Sequence, residues 1–526
     1  MKKLFLFALI TLLASCSSIK NHNDHLNDLI SVTNSKTDVD LAYKKIKKLH
    51  PNLYYYISKK DLDFKFDSIK NTITKPITSF ELYTKISPVV AAVRQGHMFT
   101  SPAVKQYSKK ENKILKARGT GPLSQFEYEF FDDKMYVVKN KSYNKKIKVG
   151  TEVVAVNGQK PIGFYNEFKN RFTSDGYNTT FKKNIVGRRF ASYYTLTNGV
   201  KDSINFEFKS NDTLKKILIK RAVTDSTSIK RKLAKTPLTE VEKAKIIADQ
   251  KELKAKRKTY GYDDVAKQYN RELYFLEKDS SVAVIKIKSF TKGKYSTFYK
   301  ESFEKIAKTK SKTLIIDLRN NTGGRLAEIE NLYAYLADST FIFNEDAEMT
   351  SRFSVIDNYM NSGGIIGKVV KFATAPISIP ILYFMTTKKD DGKIYMKMSS
   401  PTKIKKTNFR GKIYVLINGS SFSASSIISS NLKGSKRAYF VGEETGGDYN
   451  GTVAGQMPIV ELPNSKIKIK IGILNCVPFH KTDVLGHGIY PDKEILPTIQ
   501  NRIDNVDPEM NWILNDIKRT EKVTSN

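Results

Sequence analysis

The run Ile413-Tyr414-Val415-Leu416-Ile417 passes directly into Asn418-Gly419-Ser420-Ser421-Phe422-Ser423-Ala424-Ser425-Ser426. An apolar run of this length, rich in β-branched residues, reads as a strand buried on both faces. The Asn-Gly pair ends it, and the serine-rich stretch opens a helix from Ala424. A serine at that junction sits beside the positive end of the helix, where a developing oxyanion is stabilised. Taken alone, the same serines would serve equally well as ordinary helix caps.

Upstream, Thr313-Leu314-Ile315-Ile316-Asp317-Leu318 is a second buried strand and closes on Arg319-Asn320-Asn321-Thr322-Gly323-Gly324. Two glycines ahead of a helix over 327–336 let backbone N–H groups face an anion with no side chain in the way. Strands at Val282–Ile287 and Ala438–Val441 and a helix around Phe303–Ala307 extend the alternation into an α/β core over 276–505. The segment 345–410 interrupts it with Gly363-Gly364 and several prolines and reads as a lid or insertion. Residues 506–526 are expected to form a C-terminal tail.

The N-terminal half is patterned differently. Over 37–118, Leu41, Ile46, Leu49 and then Phe80, Leu82, Ile86, Val89 and Val90 recur at three- and four-residue steps, which predicts a helical domain. A glycine breaks that pattern in Gln95-Gly96-His97-Met98-Phe99. Over 119–222 the pattern turns to β. Val149-Gly150-Thr151-Glu152-Val153-Val154-Ala155-Val156-Asn157-Gly158 gives a glycine turn, a buried strand and an Asn-Gly turn. That order resembles a PDZ domain, with Val149 in place of a leucine. Gly119-Thr120-Gly121-Pro122-Leu123 would be its carboxylate loop or a plain interdomain linker. Residues 223–275 form a basic helical linker, with eleven basic and four acidic residues between Lys230 and Lys258. Overall this is a multidomain α+β and α/β chain.

Composition narrows the classes. The 526 residues carry 89 Lys+Arg against 53 Asp+Glu, a formal charge of +36, with 40% hydrophobic and 11% aromatic residues. So much apolar content excludes a disordered chain. Two cysteines exclude a disulfide framework and a tetrathiolate zinc site. The charge suits an anionic partner, either nucleic acid or an envelope surface.

The N-terminus chooses between them. Met1-Lys2-Lys3, an apolar run from Leu4 to Ala14 and then Cys16 have the layout of an export signal. Leu13-Ala14-Ser15-Cys16 resembles a bacterial lipobox. Residues 1–15 would then be a lipoprotein signal peptide, Cys16 the lipidated N-terminus, and 16–36 a tether. Ser17 after the cysteine points to the outer membrane, with the protein facing the periplasm or the exterior. Export argues against a nucleic-acid partner. Cys476 is left as a small buried hydrophobe. The apolar stretch Val369–Met385 contains Lys371, Pro376 and Pro380, which argue against a membrane span.

Four motifs in one order carry a family resemblance. Asp317 to Gly324 is followed by Ser423-Ala424-Ser425, by Val441-Gly442-Glu443-Glu444-Thr445-Gly446-Gly447, and by Gly486-His487-Gly488-Ile489-Tyr490-Pro491-Asp492. The chain resembles the tail-specific (C-terminal processing) serine peptidases, in their tricorn-type Ser-His branch, whose catalytic core is crotonase-like. The resemblance implies Ser423 as nucleophile and the N–H groups of Ala424 and of Gly323 or Gly324 as oxyanion hole. It implies peptide or protein substrates and no metal or organic cofactor.

The better-known branch of that family takes a lysine as base, in a Gly-Glu-Pro-Thr-x-Gly-Lys segment. Here the position holds Gly447 or Asp448, and no lysine lies between Lys436 and Lys466. A serine hydroxyl still needs a base. The tricorn-type branch draws it from an N-terminal Gly-His motif, which points to His97, with His480 and His487 as alternatives. The family's acid position reads Leu485, so Asp483 or Glu444 is left to orient the imidazole, or the pair works as a dyad. The expected function is a lipid-anchored cell-envelope serine endopeptidase. The alternative is a peptide-binding protein that keeps the fold and has lost catalysis.

Overall fold

The computed structural model describes residues 19–223, 240–264, 266–276, 280–361 and 365–524. Cys16, the signal segment and residues 230–239 of the basic run lie outside the described residues.

A six-stranded sheet carries the catalytic half, in the order 493–494, 439–442, 412–417, 313–317, 282–287 and 271–276. All neighbours are parallel except the last pair, which is antiparallel. The core therefore starts at Arg271 rather than after 275. Side chains alternate across this sheet. Ala283, Ile285, Leu314, Ile316, Ile413, Val415 and Phe440 pack one face, against the helices Tyr295–Lys308, Leu326–Tyr333 and Ala424–Gly434. Val282, Val284, Ile315, Tyr414, Leu416 and Val441 pack the other face against Ile513 and Ile517. Those two isoleucines lie on the helix Pro508–Thr524, so the expected C-terminal tail is a covering layer of the core. Without it one face of a parallel sheet would stand in water.

The N-terminal helices Val32–Leu49, Lys59–Asn71 and Ser79–Ala91 form a layer, capped by Ser31, Ser58 and Thr78. It is not self-contained. Leu462, Ile467, Ile469 and Ile471 fill its core, and the strand Phe99–Ser101 pairs antiparallel with Lys468–Lys470. This sharing of a core brings the Gly96-His97 turn to the peptidase half. The expected tether over 16–36 is folded from residue 19 onward. Ile30 bridges Ile77, and Ser31 starts a helix at Val32, because a capping serine and an apolar periodicity begin before 37.

Residues 126–220 build a five-stranded antiparallel sheet, with the helices Pro161–Arg171, Thr180–Arg188 and Phe190–Asn198 between its third and fourth strands. Thr120 and Ala222 exchange backbone hydrogen bonds in both directions. The stretch at Gly119–Leu123 thus ties entry to exit, and its Thr120 amide is not free to hold a carboxylate.

The segment 345–410 splits in two. Its strands Ala347–Met349, Thr386–Lys388 and Ile394–Met396 join a five-stranded sheet with Thr452–Ala454 and Leu474–Cys476. Between them the helices Arg352–Asn361 and Ile365–Phe384 project outward, with Phe372 and Phe384 more than 70% exposed. Pro376 and Pro380 lie within the second helix, and among the described residues no helix is long and apolar enough to cross a membrane. Cys476 is buried, and burial pushes its thiol up to about 12.

Candidate active site

The two loops read from the sequence are joined at the edge of the central sheet. Ser421 Oγ donates to the Leu318 carbonyl at 2.8 Å, Phe422 N to the Asn321 carbonyl at 3.1 Å, and Asn418 and Asn320 pair through their side chains. Gly446 N donates to the Ser421 carbonyl at 2.9 Å and closes the turn from the other side. Held this way, Ser423 has φ 60° and ψ −122°, a conformation that costs a non-glycine residue about 1–3 kcal/mol. It precedes the helix Ala424–Gly434 yet does not cap it. Its hydroxyl is turned to His97 instead.

His97 Nε2 lies 2.9 Å from Ser423 Oγ. The imidazole is stacked on Phe422, with ring centres 4.8 Å apart. Gly96 makes that approach possible, since a Cβ there would lie 2.6 Å from the Phe422 ring. On its other side, His97 Nδ1 lies 3.0 Å from Thr452 Oγ1, and Thr452 Oγ1 donates to Asp175 Oδ1 at 3.1 Å. Gly96 N donates to the same carboxylate oxygen at 2.7 Å. With Nδ1 protonated the bonds run in one direction. His97 donates to Thr452, Thr452 donates to Asp175, and Nε2 is free to accept the serine proton.

The electrostatics match that tautomer. Burial, with Lys470 adding to it, pushes the His97 imidazole down to about 3, so it is neutral at ordinary pH. Burial pushes the Asp175 carboxyl up to about 7, against the opposing bonds from Gly96 and Thr452. Asp448, packed behind, is pushed up to about 6 by burial and accepts a hydrogen bond from Tyr56 at 2.8 Å.

Neither expected acid reaches the imidazole, because its two ring nitrogens face Ser423 and Thr452. Glu444 accepts from Gly488 N at 2.8 Å and lies 3.3 Å from His487 Nδ1, which ties the Gly442–Gly447 and Gly486–Asp492 motifs together. Asp483 is exposed. His487 also bonds the Tyr490 hydroxyl, and His480 packs against Gly434, so neither alternative base stands at Ser423. Thr452 and Asp175 went unread because no motif marks them. They come from strands and loops 277 residues apart that only folding brings together. The lysine position matches Gly447 or Asp448, and at Gly447 a Cβ would meet Ser426 Oγ at 2.4 Å.

The three expected oxyanion donors differ. Gly323, at φ +96°, lets its loop lie against the serine turn, for a Cβ there would be 2.7 Å from Ser423 Cβ. Its own N–H, however, donates to Asn321 Oδ1 at 2.9 Å. Ala424 is the first residue of its helix, where an N–H has no partner within the helix. Gly324, at φ +150°, bridges Phe290, and a Cβ there would lie 2.3 Å from the Phe290 backbone. Asp317 and Arg319 of this loop are structural. Burial would raise the Asp317 carboxyl, but Arg319 at 2.9 Å and Lys286 at 3.3 Å hold it below the usual range.

A neutral imidazole within hydrogen-bond reach of a strained serine, at the N-terminus of a helix, is an arrangement for acyl transfer. Residues 281–495 match the family model Peptidase family S41. No curated protein matches the sequence. Among solved structures, mature CPAF is similar with a TM-score of 0.56 at 14% identity, over 90% of this chain and 94% of that one. CPAF complexed with lactacystin gives 0.57 at 15% identity, over 93% and 98%. The photosystem II D1 C-terminal processing protease gives 0.41 at 12% identity, over 88% and 93%. The match of residues 281–495 to peptidase family S41 supports a serine-type peptidase, an enzyme class that acts on peptides or proteins.

Proposed function

We propose that this protein is a cell-envelope serine endopeptidase, held to the membrane by lipid on Cys16, with Ser423 as nucleophile and His97 as general base. The observation that carries the catalytic part is the 2.9 Å contact between His97 Nε2 and Ser423 Oγ. Ser423 Oγ bonds to the scissile carbonyl carbon as its proton passes to Nε2. The imidazolium then gives that proton to the leaving amine as the C–N bond breaks. Water, deprotonated by the same imidazole, releases the acyl group. Thr452 and Asp175 hold the ring and stabilise its charged form. The amides of Ala424 and Gly324 receive the oxyanion, and removing such a donor costs about 3 kcal/mol. Gly323 serves by its lack of a side chain. The core around them is crotonase-like, and the 126–220 sheet is a PDZ-like domain whose edge strand Thr213–Lys220 can take up an extended peptide.

The test has two arms. Wild-type protein should cleave an unfolded protein such as reduced casein and label with a fluorophosphonate at Ser423, while folded Ser423→Ala and His97→Ala proteins should do neither at a measurable rate. Full activity in His97→Ala would remove it as base. For the anchor, Cys16→Ser should move the protein from the membrane to the soluble fraction of cells; retention on the membrane would overturn that part.

A further inference from the structure

Several cations drawn below the surface of this molecule are answered by carboxylates. Arg319 meets Asp317 and Asp507, and Arg437 meets Asp338. One group is built differently. Arg94, Lys169 and Lys182 line an open cavity of about 250 Å³ with no acidic residue in its wall. None of the three has an ion pair among the described residues. Aromatic faces hold two of them in place without neutralising them. The Arg94 guanidinium lies 4.6 Å over the Tyr177 ring and the Lys169 ammonium 5.6 Å from the Tyr165 ring. Lys182 is half-buried, and burial, then Arg94 and Lys169, pull its ammonium below the usual lysine range. Gathering like charges in a concave, partly desolvated place is unfavourable until an anion enters, and such a place focuses field on the anion.

The cavity is framed by the segments that fix His97. Gly176 N donates to the Arg94 carbonyl at 2.9 Å, and the neighbouring Asp175 holds Gly96 N. Phe181, next to Lys182, stacks on Phe422 at 4.1 Å, and Phe422 stacks on His97. Arg94 is three residues from His97, so their Cα atoms are at most about 11 Å apart. An extended peptide advances about 3.3 Å per residue.

We propose that Arg94, Lys169 and Lys182 form a subsite for a carboxylate of the bound peptide, within a few residues of the bond at Ser423. This rests on the peptidase reading for its position, though not for its chemistry. The carboxylate is a Glu or Asp side chain or a free chain end.

The experiment uses internally quenched decapeptides. Glu or Gln is scanned through each position, and each peptide is made with a free or an amidated C-terminus. Wild-type protein should favour one charged peptide over its neutral partner by about tenfold in kcat/KM, mainly through KM, and less at high salt. An advantage tied to one Glu position names a side chain; one tied to the free terminus names the chain end. Arg94→Gln/Lys182→Gln should bring the ratio near one, Lys182→Arg should keep it, and Lys305→Gln, exposed on the helix Tyr295–Lys308, should keep it too. No preference in the wild type, or an undiminished ratio in the double variant, overturns the subsite. Binding of the same labelled peptides to Ser423→Ala, followed by anisotropy, separates the two readings. Equal affinity for charged and neutral peptides overturns the subsite whatever the turnover. Carboxylate-dependent binding to a wild-type protein that cleaves nothing upholds the subsite and overturns the peptidase.

Discussion

His50 and His97 lie in the same N-terminal layer, and burial pushes both imidazoles down to about 3. There the likeness ends. Both ring nitrogens of His50 are buried without a hydrogen-bond partner among the described residues. Those of His97 face Ser423 and Thr452. Burial by itself makes a neutral imidazole. It becomes a base only where one nitrogen is given a hydroxyl to deprotonate and the other a route to a carboxylate. A lowered pKa therefore marks both residues and identifies neither.

The largest effect should come from breaking the pair that distinguishes His97. Ser423→Ala or His97→Ala should lower kcat by about 10⁴ or more, with the fold intact by circular dichroism. His50→Leu should leave kcat/KM within about twofold, because His50 touches no reacting group. If both histidine variants were equally impaired, the contrast would be one of packing alone.

Next come the supports of His97. Asp175→Asn should lower kcat by about a hundredfold and Thr452→Val by about tenfold, with KM little changed, because both act on the charged imidazole formed in the transition state. Asp483→Asn, away from the ring, should change neither constant beyond about twofold.

A smaller effect is the pH profile. His97 is neutral well below pH 6, so the acid limb of kcat/KM should follow the raised carboxyls Asp175 and Asp448, rising between about 6 and 7. Asp175→Asn should leave only the Asp448 component. Stability runs the other way for that carboxyl. Its folded-state pKa is raised from 3.8 to about 7, so its contribution is complete below the lower value and lost as pH rises through the upper one. Asp175→Asn should therefore gain stability over the wild type between pH 4 and 8, on the order of 4 kcal/mol, measured by urea unfolding.

The smallest is stability in acid. The depressed His50 contributes stability above 6.5 that is lost as pH falls towards about 3. Relative to wild type, His50→Leu should lose less of its thermal midpoint between pH 7 and 4.

Much of this was legible from residues alone. Apolar runs at 282–287, 313–318 and 413–417 require a doubly covered sheet, and glycines at 323 and 324 leave backbone N–H groups open beside a helix. Ser423 and His97 could be singled out because a motif surrounds each. Asp175 and Thr452 could not. An aspartate in a loop and a threonine after a glycine are ordinary, and only burial and mutual distance give them a role. The same holds for Leu462, Ile467, Ile469 and Ile471, which read as a late stretch of alternating apolar residues and turn out to fill the N-terminal core.

The sequence by itself determined the sheet, the serine at a strand-to-helix junction and the absence of a lysine base, because these depend on local periodicity and on residues close in the chain. The tertiary structure decided which histidine meets the serine, which carboxylate stands behind it, and that Gly323 contributes space while its N–H is taken by Asn321. Those outcomes depend on long-range packing, which joins residue 97 to 423 and 175 to 452 by burying side chains that no local pattern pairs.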